Sequence, residues 1–213
     1  MGTPYITYGL LIITVLTSYR AFSDQGLLNK MVFNATAVKH HKQWYRLISH
    51  GFIHGSTVHL IFNMLGLYFF GPTLEMFFTM QFGTPIGNVV FLLMYICALV
   101  VGSIPSLIKH GDNPNYNSLG ASGAVYAIIL AFALLWPVEK VYLFGIIGLP
   151  AYLMGILFFV SEKYLADRGG TNIGHDAHLA GAAFGILFVL LIEPSSLLHF
   201  VEQIMAHPFG RRH

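Results

Sequence analysis

The chain has 213 residues, of which 55% are hydrophobic and only 9% are charged, and its formal net charge is +2. An ordinary soluble domain carries about 25% charged residues, so this composition is typical of a membrane protein with several spanning segments. The small net charge argues against nucleic-acid binding, and the sequence contains no zinc-finger or phosphate-loop pattern.

Six apolar runs are long enough to cross a bilayer as helices, which takes about 20 residues each. In chain order they are 4–19, 58–80, 87–108, 119–136, 141–160 and 177–192. The first run lacks the basic start and the small-residue cleavage site of a signal peptide, so we interpret it as a retained helix. The sequence therefore predicts an all-α membrane protein, a six-transmembrane-helix bundle that forms a single domain over residues 1–213.

The connection between the first two runs, residues 20–54, is long and holds most of the basic residues. Because basic and aromatic side chains favour the membrane interface, we expect this segment to lie there and to be partly helical. The fifth run contains Pro150 together with Gly145 and Gly148, which predicts a kinked or loosened helix. The tail contains an amphipathic segment at 197–205.

Polar side chains lie near the start of the second, fourth and sixth runs. His59 and Asn63 share one face of the second run, Ser122 lies in the fourth, and His178 lies in the sixth. Because six spans alternate in direction, these three runs begin on the same side of the membrane. A rise of about 1.5 Å per residue puts each side chain within about 10 Å of its helix start. Since polar groups inside apolar runs are costly, the pattern predicts one functional cavity recessed below one membrane surface.

A serine and a histidine in one such cavity indicate nucleophilic catalysis. A serine hydroxyl attacks well only when a neighbouring base takes its proton, and histidine suits the role of base and then of acid. Acyl transfer also needs donors for the developing oxyanion, and His59, Asn63 and the backbone N–H of Ser122 are candidates. Close approach of the fourth and sixth helices needs small residues, and the two runs supply Gly120, Gly123, Gly181 and Gly185.

Four motifs occur in a characteristic order and spacing: WYR at 44–46, HLIFN at 59–63, GASG at 120–123 and AHLAGAAFG at 177–185. Jointly they resemble the rhomboid family of intramembrane serine proteases, in its minimal six-helix bacterial form. The resemblance covers nearly the whole chain. It implies a Ser122–His178 dyad without an acid, an oxyanion hole of His59, Asn63 and the Ser122 N–H, and Tyr126 packed against the ring of His178.

The resemblance has further implications for residues, partners and location. His50 and His54 match structural or cavity-lining histidines, and Glu75 matches a buried structural acid. The implied substrates are single-span membrane proteins, cut within or beside the transmembrane segment in the lipid bilayer, with no metal, cofactor or nucleic acid. The implied location is the cell membrane, as a multi-pass protein of the bacterial inner membrane whose active site opens to the extracytoplasmic side.

The basic residues disagree with that orientation. Eight of the Lys and Arg residues lie in the first, third and fifth connections, and the positive-inside rule would place that side in the cytoplasm. We follow the resemblance, because a first connection folded into the interface is a poor topological signal.

Two alternative roles concern single residues. Asp176 lies two positions before His178 and suggests a triad, but residues i and i+2 of a helix point about 200° apart. Capping or charging the first turn of the sixth helix suits Asp176 better. His50 and His54 are spaced for zinc if both are helical, but no carboxylate or thiolate accompanies them.

Two alternative functions belong to other classes. A non-catalytic rhomboid-like protein would bind transmembrane helices without cutting them, and it would lack the serine or the histidine. A transporter or channel would carry polar residues through the full depth of the membrane, whereas here they cluster in one half of the runs.

Overall fold

The computed structural model describes residues 3–143, 146–168, 174–207 and 209. In this part of the chain most residues are helical, and four short strands occur. The helices are α1 (Tyr5–Ser23), α2 (Gln25–Met31), α3 (Ala35–His41), α4 (Arg46–Ser49), α5 (Thr57–Phe82), α6 (Thr84–His110), α7 (Ser122–Leu135), α8 (Ala151–Arg168), α9 (His175–Ile192) and α10 (Ser196–Ala206). The strands are β1 (Phe33–Asn34), β2 (Asn117–Ser118), β3 (Lys140–Leu143) and β4 (Ile147–Pro150).

Four of the described helices are long and apolar enough to cross a membrane: α1, α5, α6 and α9. Helix α7 is apolar but has only 14 residues. At 1.5 Å per residue it is about 21 Å long, shorter than a hydrocarbon core of about 30 Å. Helix α7 is therefore too short to cross such a core along its full thickness.

Helix α7 is the centre of the bundle. It contacts α5, α6, α8 and α9, and eleven of its fourteen residues are buried. A helix that is apolar on every side must be enclosed by protein or lipid, and here protein encloses it. Its first residue is Ser122, so the candidate nucleophile lies where the central helix begins.

The first connection consists of short helices, in agreement with the expectation of partly helical structure. Strand β1 pairs antiparallel with β2, so that Phe33 lies opposite Ser118 and Asn34 opposite Asn117. The Asn34 side chain also accepts from the N–H of Ala37 and caps α3. This pairing attaches the first connection to the segment that leads into α7.

Helix α1 is attached to the C-terminal third of α5 by a buried carboxylate. Glu75 is fully buried, as the resemblance implies, and it accepts from the N–H groups of Ile6 and Thr7 at 2.9 and 2.8 Å. The Thr7 hydroxyl donates to the same carboxylate at 2.7 Å. The first N–H groups of a helix have no acceptor within it, and a negative charge is favourable there.

The fifth apolar run differs from its prediction. The sequence predicts a helix over 141–160, but the structure contains the antiparallel pair β3–β4 followed by α8, which begins at Ala151 and continues to Arg168. Pro150 ends β4 directly before α8 instead of kinking a helix, and Gly148 lies within β4; Gly145 lies outside the described residues. An apolar run alone does not distinguish strand from helix, and its β-branched and aromatic residues favour strands.

Candidate active site

Ser122 and His178 meet where α7 and α9 begin. The Nε2 atom of His178 lies 2.7 Å from the Oγ atom of Ser122. His178 is buried and lies in the first turn of α9, while Ser122 is half-buried. The two residues that the sequence analysis paired are therefore within hydrogen-bond distance.

Two glycines of α9 permit this approach. A Cβ atom on Gly181 would overlap the carbonyl oxygen of Gly123, and one on Gly185 would overlap that of Ala127. A Cβ atom on Gly123 would meet its nearest atom, the Ala177 carbonyl oxygen, at an ordinary 3.5 Å. The close approach of the two helices therefore depends on the absence of side chains at Gly181 and Gly185 of α9, which pack against the backbone of α7.

Gly120 has a different role, because its backbone adopts φ +115°. A side chain is strained in this conformation, and a Cβ atom would also lie 2.7 Å from the His59 ring. Only glycine suits both conditions. The His59 ring is thereby adjacent to the backbone two residues before Ser122.

Two histidines of the first connection hold the segment that precedes Ser122. The N–H of Gly120 donates to the carbonyl oxygen of His50 at 2.9 Å, and the N–H of Ala121 donates to Nε2 of His54 at 3.3 Å. Because Nε2 of His54 accepts, its Nδ1 carries the proton and donates to the Ser18 hydroxyl at 2.9 Å. His50 contacts the Ser103 hydroxyl through Nε2 at 3.0 Å. These contacts support the structural role that the resemblance implies for both histidines.

The three candidate oxyanion donors are positioned differently. Ser122 is the first residue of α7, so the helix itself provides no acceptor for its N–H. Asn63 is buried on α5, and its amide nitrogen donates to the His59 carbonyl oxygen at 3.0 Å. An amide nitrogen carries two hydrogens, so one remains for a ligand. The His59 ring lies edge-on to His54, with 4.9 Å between the ring centroids.

Tyr126 stacks on the ring of His178, as the resemblance implies. The ring centroids are 4.6 Å apart and the planes differ by 15°. The Tyr126 hydroxyl donates to Oε1 of Glu162 at 2.7 Å.

Glu162 is the residue of this site that the sequence analysis missed. Its Oε2 atom lies 2.8 Å from Nδ1 of His178 and 2.6 Å from Nδ1 of His175. All three side chains are buried. Glu162 lies just after the fifth span that the sequence predicts at 141–160, and no local motif marks it.

Asp176 does not take that position. Its carboxylate pairs with the Lys109 ammonium at 3.5 Å, and its side chain is 45% exposed. Gly174 is the residue that precedes the first turn of α9, and Asp176 lies within that turn without capping it through its side chain. Asp176 is therefore not the acid beside His178, as the i, i+2 spacing predicts, and Glu162 of α8 takes that position.

Glu162, His175 and His178 form a group whose potential metal-ligand atoms all lie within 4.8 Å of one another. Around a tetrahedral zinc ion with bonds of about 2.1 Å, neighbouring ligand atoms are about 3.4 Å apart. The observed separations of 2.6 and 2.8 Å are those of charge-assisted hydrogen bonds. The geometry fits a hydrogen-bonded carboxylate better than a metal site. His50 and His54, the other candidate zinc pair, contact serine hydroxyls and backbone groups instead.

Comparison with known proteins gives consistent matches. Residues 41–195 match the family described as the Rhomboid domain. RHOMBOID-like protein 12, mitochondrial, of Arabidopsis thaliana is 32% identical over 195 residues, 84% of this chain and 55% of that protein. Rhomboid protease GlpG of Photorhabdus laumondii is 30% identical over 151 residues, 70% of this chain and 48% of that protein. Rhomboid protease GlpG of Haemophilus influenzae is 25% identical over 185 residues, 86% of each.

The chain spans about half the length of the first two of these relatives. The Rhomboid match, however, covers well over half of this chain and includes α5 to α9, which carry His59, Asn63, Ser122, Glu162 and His178. The chain therefore belongs to the rhomboid family.

Proposed function

We propose that this protein is an intramembrane serine endopeptidase that cleaves transmembrane or juxtamembrane segments of single-span membrane proteins. The observation that carries the proposal is the 2.7 Å contact between Ser122 Oγ and His178 Nε2 at the start of a short central helix. A non-catalytic binder of transmembrane helices has no use for such a pair. The names of the two relatives called Rhomboid protease GlpG support the same activity.

The reaction begins when Ser122 transfers its proton to Nε2 of His178 while its oxygen attacks the carbonyl carbon of the scissile peptide bond. The carbonyl electrons move to oxygen, and the resulting oxyanion is stabilised by the Ser122 N–H, His59 and Asn63. His178 then protonates the leaving amine. His178 then deprotonates a water that attacks the acyl-enzyme, and it gives that proton to the Ser122 oxygen as the ester bond breaks and the second product leaves.

The bundle supplies the setting for this chemistry. Six membrane spans, with α7 and α8 added to the four long apolar helices, would leave the start of α7 in a water-filled recess. The substrate helix enters from the bilayer and unwinds there. We place the protein in a bacterial inner membrane with the recess opening to the extracytoplasmic side; some relatives carry mitochondrial names, so a mitochondrial membrane is the other candidate location.

A serine-directed fluorophosphonate probe tests the nucleophile in the purified full chain. We expect it to label the wild-type protein and not Ser122→Ala, and to label His178→Ala far more slowly because the hydroxyl loses its base. Ser23→Ala changes an exposed serine at the end of α1 and is the matched control. Equal labelling of the wild-type protein and Ser122→Ala would refute the assignment.

A further inference from the structure

We propose that Glu162 is a positioning residue of the active site, which completes an acid–histidine–serine array from a third helix. The proposal rests on the proposed protease function. Neither the motif resemblance nor the distribution of polar residues along the apolar runs assigns this residue a role. Its basis is the position of the Glu162 carboxylate on the side of His178 that faces away from Ser122.

The hydrogen bonds define which ring nitrogen of His178 carries the proton. An ionised carboxylate only accepts, so the Nδ1 atom of His178, 2.8 Å from Glu162, must donate. A neutral imidazole has a single N–H, so Nε2 keeps its lone pair and accepts the Ser122 hydroxyl at 2.7 Å. Glu162 thus selects the tautomer that a general base for Ser122 requires.

The His178 ring is also held in orientation. Its two nitrogens are bonded at opposite edges, to Glu162 and Ser122, and its face stacks on Tyr126. A ring bonded at both edges and covered on one face cannot rotate without breaking a hydrogen bond. Because the His178 ring is already oriented, little of its orientational freedom remains to be lost when the proton is transferred, and this favours the transfer.

Glu162 is itself fixed by three donors. The Tyr126 hydroxyl occupies Oε1, while Oε2 accepts from both His175 and His178. The carboxylate is buried beside these partners. Tyr126 therefore contacts the base in two ways, directly through its ring and indirectly through the carboxylate.

The negative charge of Glu162 has a function when Ser122 transfers its proton to His178. As Ser122 attacks, its O–H bond breaks, an N–H bond forms at Nε2, and His178 becomes an imidazolium ion. The carboxylate 2.8 Å from Nδ1 stabilises that cation in a site of low dielectric, and it does not need to take the proton itself. Histidine then returns the Nε2 proton to the leaving amine.

Two variants and one control test the role. Glu162→Gln keeps the shape of the side chain and removes the charge, and Glu162→Ala removes the acceptor. Asp176→Asn is the matched control, because it changes an acid two residues from His178 that pairs with Lys109 instead. The measurements are kcat and KM on a transmembrane test substrate, the rate of fluorophosphonate labelling, and thermal stability, all with the full chain in lipid.

We expect both Glu162 variants to lower kcat by about 10²-fold or more, as loss of the acid does in other serine proteases, while KM changes by less than about threefold. The labelling rate of Ser122 should fall in parallel, and Asp176→Asn should match the wild-type protein. If Glu162→Gln retains kcat within about threefold of the wild-type value, the proposal is wrong, whereas loss of cleavage only in Ser122→Ala would still support the proposed function.

Nuclear magnetic resonance of the wild-type protein labelled with nitrogen-15 histidine gives a readout that does not depend on activity. We expect a far-downfield proton on Nδ1 of His178, assigned by its loss in His178→Ala and distinguished from His175 by His175→Ala. A wild-type His178 that is protonated at Nε2 instead would overturn the proposal. So would wild-type activity that is abolished by a chelator and restored by zinc, because a metal on Nδ1 leaves the proton on Nε2.

Discussion

His178 makes different contacts with each of its two nitrogens and with its ring face, and these contacts come from two other helices, α7 and α8. Nε2 contacts Ser122 on α7, Nδ1 contacts Glu162 on α8, and the face contacts Tyr126 on α7. The ring lies on α9, so the geometry of the base depends on how α7, α8 and α9 pack together. Residue-level chemistry here depends on helix packing.

Asn63 allows a test of the oxyanion hole. Asn63→Ala should lower kcat by about 10²-fold, the usual effect of losing one such donor, while leaving activity above that of Ser122→Ala because the Ser122 N–H and His59 remain. The measurement is kcat on a transmembrane test substrate.

The Asn63 side chain also donates to the His59 carbonyl, so thermal stability must be measured alongside activity. Thr79→Val on the same helix removes a comparable local hydrogen bond, from its hydroxyl to the Met76 carbonyl, far from Ser122 and is the control. An Asn63→Ala variant as active as the control would exclude Asn63 from the oxyanion hole.

At the scale of the helices, the contact between α7 and α9 determines whether the site forms. Gly181 and Gly185 lie one helical turn apart, and each lies against a backbone carbonyl of α7. A backbone cannot shift as a flexible side chain can, so even one methyl group would separate the helices.

Gly181→Ala should therefore lower both stability and activity. We expect a loss of about 1–3 kcal/mol in the free energy of unfolding, with kcat falling further because Ser122 and His178 move apart. Thermal denaturation in detergent and cleavage assays measure the two effects. Gly9→Ala on α1 is the control, because a Cβ atom there meets nothing within 4 Å. A Gly181→Ala variant that behaves like Gly9→Ala would contradict the packing argument.

The sequence predicts the α7–α9 part of the site well, because its residues lie in short motifs on helices with clear apolar boundaries. Ser122, Tyr126 and His178 are close together as expected. Gly181 lies against α7, the helix of the fourth apolar run, as expected. These contacts follow from helix direction and from local spacing, which a sequence contains.

The contribution of α8 could not be predicted in the same way. An uninterrupted apolar run predicted one helix over 141–160, whereas β3 and β4 occupy its first half and α8 extends eight residues beyond its end. Because α8 begins and ends later in the chain than the predicted helix, Glu162 lies within α8 although it follows the predicted span. Its partners lie on other helices, so only the packed structure brings the carboxylate to His178.

At the scale of the whole molecule, the orientation in the membrane is a proposal that conflicts with the positive-inside rule. The described side chains supply one reason for the conflict. The Arg46 guanidinium donates to the carbonyl oxygens of Asn29 and Val32, and Lys39 pairs with Asp112. Basic residues engaged in folding the first connection are weak determinants of topology.

Membrane-impermeant thiol labelling of intact bacterial cells tests the orientation. In a Cys97→Ser background, Lys30→Cys lies in the first connection, on the side where α7 begins, and Lys140→Cys lies beyond the other end of α7. We expect Lys30→Cys to be labelled from outside and Lys140→Cys only after permeabilisation. The reverse pattern would place the active site on the cytoplasmic side.

The most direct test of the central claim is mass spectrometry of cleavage products from membranes that contain a single-span substrate and either the wild-type protein or Ser122→Ala. The wild-type protein is predicted to generate two fragments that end within or beside the transmembrane segment, and Ser122→Ala is predicted to generate neither while still folding. The same fragments in membranes with Ser122→Ala would contradict the claim that Ser122 is the nucleophile of an intramembrane protease.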